Sequence, residues 1–151
     1  MKGIHLERTY PHPIERVWQA IATSRGLAAW LMPNDFEPQP GHRFQFRWKK
    51  VPGWRGIVDC EVLEIEPLER LVFSWRGEEG HQPTRVTFTL TRVPEGTRLT
   101  LDHDGFRGFG GFLSRQMMRG GWRTKLLQRQ LPHALESLAT GGTAALTPLV
   151  P

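Results

Sequence analysis

Disulfide chemistry is missing from this chain: its single cysteine, Cys60, excludes an intrachain crosslink and fits a reducing compartment, so a cytoplasmic location is expected. Long apolar runs are missing as well. No stretch approaches the roughly 20 apolar residues that a membrane span needs, and MKGIHLERTY alternates where a secretory leader would carry an apolar block. His5, His12, His42, His81, His103 and His133 are scattered, none three or four positions from another, which excludes a metal site of ordinary spacing. GFGG at 108–111 is not followed by Gly-Lys-Ser/Thr and no parallel strand precedes it, so it is no phosphate loop. No nucleophile elbow is present, and the residues call for no cofactor. Acidic residues are outnumbered 15 to 20 by Lys and Arg, giving a net charge of +5. Nucleic acid is nevertheless excluded as a partner, because the arginines are spread over nearly every segment and cluster only from Arg115 to Arg129, without a recognisable binding motif.

What the chain does have is an ordinary 38% hydrophobic and 23% charged composition over 151 residues, enough for one domain with a sizeable core. That domain is expected over 1–140, with 141–151 as a tail. Residues 3–10 alternate weakly and read as a first strand. In PHPIERVWQAI, Ile14, Val17, Trp18 and Ile21 fall at i, i+3, i+4 and i+7, an apolar helical stripe with Pro13 at its start and Glu15 at the positive end of the dipole. Trp18 is expected to be buried against the sheet. Ser24 is positioned to cap a second short helix carrying Leu27, Trp30 and Leu31.

The period then switches to two. Phe44, Phe46 and Trp48 share one phase, as do Leu71, Phe73 and Trp75, Val86, Phe88 and Leu90, and Leu99, Leu101 and His103. Apolar residues fill both phases of GIVDCEVLEIEP, which implies a bulge or a strand covered on both faces. The connections are too short for crossover helices, so the sheet is antiparallel. The segment 105–121 mixes glycines with Phe106, Phe109, Phe112, Met117 and Met118 and reads as a hinged lid or an interface; from Trp122 a helical stripe resumes, interrupted by Pro132 and stopped by Gly141 and Gly142.

The motifs PHPIERVWQAI, GLAAWL, PGHRFQFRW, EVLEIEPLERLVFSW, VTFTL with GTRLTLDHDGF, and GGW before an amphipathic helix together resemble the activator of heat-shock protein 90 ATPase homologue family, within the START-like (SRPBCC, Bet v 1-like) superfamily. The resemblance covers about residues 5–138. It implies an α+β helix-grip fold in which a curved antiparallel sheet of about six to seven strands grips a long C-terminal helix and leaves a cavity between them. The function implied is binding of a hydrophobic or amphipathic small molecule in that cavity. Lining residues drawn from the inward phase and the cap are Trp30, Phe44, Phe46, Trp48, Trp75, Phe88 and His103, with Phe109 and Met117 from the segment over the mouth. The expected volume is on the order of several hundred Å3. No catalytic residue is assigned. Two other functions stay open: a cyclase or aromatase-like enzyme using His103, and a chaperone-interacting module. A homodimer is a further partner the residues leave open.

Overall fold

In the computed structural model, residues 3–77 and 82–141 are described; within the last helix the side chains of residues 108–110, 125, 126 and 141 are not. The turn expected around residues 78–81 and the tail from residue 142 onward lie outside the described residues. The elements follow the order β1 (Ile4–Tyr10), α1 (Ile14–Ile21), α2 (Ser24–Trp30), β2 (Arg43–Arg47), β3 (Ile57–Glu66), β4 (Arg70–Trp75), β5 (Thr84–Val93), β6 (Gly96–Asp104), α3 (Gly108–Gly120), a π-helical segment (Gly121–Gln130) and α4 (Leu131–Gly141). The six strands form one curved antiparallel sheet in the order β1-β6-β5-β4-β3-β2.

Alternation sets the inner face. Val58, Cys60 and Val62 on β3, Leu71, Phe73 and Trp75 on β4, Val86, Phe88 and Leu90 on β5, and Leu99, Leu101 and His103 on β6 are all buried. The two-phase apolar content of β3 has its cause in a register shift between Val62 and Glu64, which leaves Leu63 exposed. Burial also pushes the Cys60 thiol far above its ordinary range, so its thiolate chemistry is suppressed.

The helical cap differs from the sequence reading in two details. Thr23, not Ser24, caps α2: its Oγ1 accepts from the Gly26 N–H at 2.9 Å, while Ser24 Oγ donates to the Asn34 carbonyl. Trp18 is only half-buried, because the part of the α1 stripe that meets the sheet runs through Ile14, Val17, Ala20 and Ile21, leaving the indole on its rim. Gly26 lets α2 approach α1 closely, since a Cβ there would strike the Gln19 carbonyl. Trp30 closes the pair by donating from Nε1 to the Ala20 carbonyl at 2.9 Å.

The C-terminal helix begins earlier than its stripe suggests. Residues 108–120 are α-helical, not a glycine-hinged loop, and the chain continues without a break through the π segment into α4. Glycine lowers intrinsic helix propensity but does not veto a helix anchored at both ends. Here buried Phe106 holds the entry, and Trp122, Leu127, Leu131, Ala134, Leu135 and Leu138 hold the remainder in the core, α4 packing on α1 and α2. Trp122 and Leu127 are five residues apart, a spacing that shares a face in π winding but not in α winding.

Pro132 follows the π segment and leaves one of its carbonyls without a helical partner. With i→i+5 pairing the carbonyl of Leu127 would look to residue 132, which has no N–H. Tyr10 donates its buried hydroxyl to that carbonyl at 2.9 Å. Burial raises the phenol's pKa well above its usual value, which keeps it a donor across the ordinary pH range. Tyr10→Phe is therefore expected to cost about 1–2 kcal/mol in chemical denaturation, as a buried carbonyl loses its partner. An unchanged midpoint would show that the π segment satisfies itself. Nearby, His12 is buried with Nε2 3.2 Å from Glu136 Oε1, tying α4 to the turn after β1.

Candidate functional site

The inner face of the sheet carries an almost continuous aromatic cluster. Phe44, Phe46, Phe73 and Trp75 form one wing, with neighbouring ring centroids 5.4–6.5 Å apart. Trp30 with Phe88 and His103 with Phe106 form two further pairs, which meet this wing through Phe73–Phe88 and Trp75–His103. Trp122 joins these groups, its ring 5.5 Å from Trp75, 6.2 Å from Phe88, 6.2 Å from His103 and 6.4 Å from Trp30. The space that the sequence assigns to a ligand at Trp75, Phe88 and His103 is thus the seat of an indole from the gripped helix. A cleft of about 410 Å3 exists elsewhere, open to the surface and lined by residues including Ile14, Leu68, Leu90 and Arg92.

His103 is fully buried, and its protons can be assigned from its neighbours. Thr84 Oγ1 donates to the Trp75 carbonyl at 3.0 Å, so at 2.7 Å from His103 Nε2 it acts as the acceptor, and Nε2 carries the hydrogen. Trp122 Nε1 can only donate, and it lies 3.2 Å from Nδ1, which therefore offers its lone pair. Both ring nitrogens are satisfied in the neutral tautomer. Desolvation lowers the imidazole's pKa to about 3, so at neutral pH the ring is uncharged. Asp102 and Asp104 lie on the opposite phase of β6, and Asp102 accepts from or pairs with His5 on the outer face at 2.6 Å.

Among the nine residues proposed from the sequence, Trp30, Phe44, Phe46, Trp75, Phe88 and His103 belong to this buried assembly. Trp48 does not share their strand. β2 ends at Arg47, and Trp48 follows it, half-buried, with its N–H donating to the Gly56 carbonyl. Met117 is 76% exposed on α3, away from the cluster. The side chain of Phe109 lies outside the described residues. Trp122, Thr84, Phe73 and Phe106 complete the assembly but were not among the nine. Phe73 carried a signal in its alternation with Trp75; the pairing of Trp122 with His103 carried none, because it depends on the winding of the helix above.

The assembly is a buried, ring-lined face with one polar side chain, His103, hydrogen-bonded on both ring nitrogens. Among the described residues there is no group of three or more His, Cys, Asp or Glu that could hold a metal ion. Among the described residues, His103 is the titratable side chain in ring contact with Trp122 and holds no free lone pair while Trp122 is in place, while His42 stacks on Phe44 at the cluster's edge.

Comparison with known proteins agrees with this architecture. A protein from Mesorhizobium loti, MLL2253, is 34% identical, with a TM-score of 0.71 over 91% of this chain and 96% of that one. BH1534 of Bacillus halodurans is 29% identical, with a TM-score of 0.74 over 89% of this chain and 97% of its own. DynU16, described as a putative protein in the dynemicin biosynthetic locus, is 25% identical and superimposes with a TM-score of 0.76 over 91% of this chain but 48% of its own length. No curated protein matches. The family model described as activator of Hsp90 ATPase homolog 1-like protein matches residues 11–136. With its antiparallel sheet closed over a long C-terminal helix, the chain belongs to the activator of Hsp90 ATPase homolog 1-like family and adopts its START-like helix-grip fold.

Proposed function

We propose that this protein binds a hydrophobic or amphipathic small molecule between the sheet and the C-terminal helix, in the seat that Trp122 occupies in the free chain. The observation that carries this reading is the character of that seat. It is lined by Trp30, Trp75 and Phe88, has one inward acceptor at His103 Nδ1, and is filled by a side chain from a π-wound segment. π-Helical turns are frequent at functional sites. Withdrawal of Trp122 would leave an aromatic slot and free the Nδ1 lone pair. A flat ligand would take the slot, and the polar end of an amphipathic one would donate to Nδ1.

Proton-transfer catalysis at this seat would need a second titratable group beside His103, and the other described rings in contact with Trp122 supply none. The reading is therefore binding without assigned catalysis. The chaperone-interacting alternative rests on the family's description alone.

The test is an NMR titration with 2-naphthol, a planar probe with one donor, following the indole N–H signals of the six tryptophans. The Trp122 signal, assigned by its loss in Trp122→Phe, is expected to shift saturably and ahead of the others. An unmoved Trp122 signal when the probe reaches millimolar concentration, in the range of weak ligands, would refute displacement from this seat.

A further inference from the structure

We infer that α3 is a peripheral docking face for anionic membrane surfaces. Two independent features of the same helix meet here. The first is charge: between Asp104 and Glu136 the sequence has no acidic residue, but it has Arg107, Arg115, Arg119, Arg123, Lys125 and Arg129. The second is exposure: Phe112, Leu113 and Met117 are 44%, 52% and 76% exposed, three of the five large apolar side chains that the described residues present to solvent. At 3.6 residues per turn Phe112, Leu113 and Met117 fall on one outward arc, with Arg119 and the first turn beyond it bordering the Phe112 edge. The inward side is held by Met118, which packs on the core, and by Arg115, whose guanidinium donates to the Gly3 carbonyl at 3.2 Å. The helix is thus fixed with its apolar arc outward, and Arg107, Arg119 and Arg123 are exposed around it.

The pattern selects among occupants. A second copy of this chain, meeting face to face, would bring the same acid-free basic stretch against its twin and be opposed by like charge. Nucleic acid would use the arginines but offers little to three projecting aliphatic and aromatic side chains. A protein partner would need a preformed concave seat for a convex arc. A bilayer with anionic headgroups needs no seat: it deforms around shallow apolar side chains and attracts the flanking arginines. No described helix is long and apolar enough to cross a membrane, so the contact would lie in the plane of the interface.

The experiment is co-sedimentation of the full chain with vesicles of phosphatidylcholine alone and of phosphatidylcholine with phosphatidylglycerol, at low and high salt. Binding is expected to the anionic vesicles, to weaken with salt, and to be at least roughly tenfold weaker on neutral ones. Leu113→Ser/Met117→Ser, which keeps the charge, is expected to reduce partition by about tenfold or more. Arg119→Ala/Arg123→Ala is expected to lose about fivefold per arginine. All four side chains are exposed, so thermal midpoints should stay near that of the native chain. No sedimentation with anionic vesicles, equal binding to neutral ones, or undiminished binding by the Leu113→Ser/Met117→Ser chain would overturn the inference. So would a dimer that the same double substitution dissolves while vesicle binding stays absent, which would assign the face to a second copy. Because no small ligand enters the assay, its outcome is separate from that of the 2-naphthol titration.

Discussion

Trp122→Ala is expected to lower the unfolding free energy by about 3–5 kcal/mol, the range for large aromatics removed from well-packed cores. The indole is fully buried and stands in ring contact with Trp30, Trp75, Phe88 and His103, elements drawn from α2 and three strands. Truncation leaves a void that no single neighbour can fill, because the flanking rings are braced against one another. It also strips the donor from His103 Nδ1, leaving a buried acceptor unpaired. Trp122→Phe separates the two effects. It retains most of the apolar volume and loses the donor, so a cost of about 1–2 kcal/mol is expected for the hydrogen bond, beyond a modest packing loss. Urea unfolding followed by far-UV circular dichroism measures both. If Ala cost no more than Phe, the rings would be collapsing into the vacated seat, and the seat would not be a preformed ligand site.

Most of the sheet was legible in the residues because a period of two survives whatever packs above it. Phe88, Leu101 and His103 could be placed on one inward face from alternation, and β5–β6 pairing sets Val86 opposite His103 and Phe88 opposite Leu101. The mixed phase of β3 leaves a bulge and a doubly covered strand as alternatives, and the register shift between Val62 and Glu64 selects the first. The C-terminal helix was harder to read. Its stripe, read through Leu126, Leu127, Leu131, Leu135 and Leu138, places Leu127, Leu131, Leu135 and Leu138 in the core as found, but the π winding of Gly121–Gln130 left no signal in the residues. Tyr10, from the far end of the chain, donates to the Leu127 carbonyl of that segment, a contact with no local signature. Glycines misled for a related reason. Five of the 16 glycines of the chain lie at 108, 110, 111, 120 and 121, within or beside a helix held in place from outside. The site itself was half legible: its lining follows from strand phase, but the residue at its centre comes from the helix and from a contact nineteen residues away in sequence.

Acidification below pH 6.5 is expected to destabilise the fold through His103, with the full contribution present above that pH and lost as pH falls toward 3. The sign follows from the two states. Unfolded, the imidazole takes a proton near its ordinary value of about 6.5; folded, burial holds it to about 3. Between those values the unfolded chain binds one proton more, so stability falls by about 1.4 kcal/mol per pH unit, or about 3 kcal/mol by pH 4.5. Geometry agrees with the direction. A proton on Nδ1 would set an N–H against the Trp122 N–H across 3.2 Å, turning a hydrogen bond into a donor–donor clash. Other groups act differently in this window. Asp59, held at about 2 by Arg55, Gln45 and Arg76, releases stability only below the ordinary carboxylate range. Exposed His5, raised by Asp102, works in the opposite sense. Subtracting the pH profile of His103→Gln removes both, since a neutral amide in this position takes up no proton. Guanidinium unfolding of the two chains between pH 7 and pH 4.5 should therefore give curves that converge as pH falls, the native one losing its advantage. Parallel curves would mean that His103 keeps the same proton in both states, and the buried imidazole would have to be charged when folded or solvated by water reaching the seat.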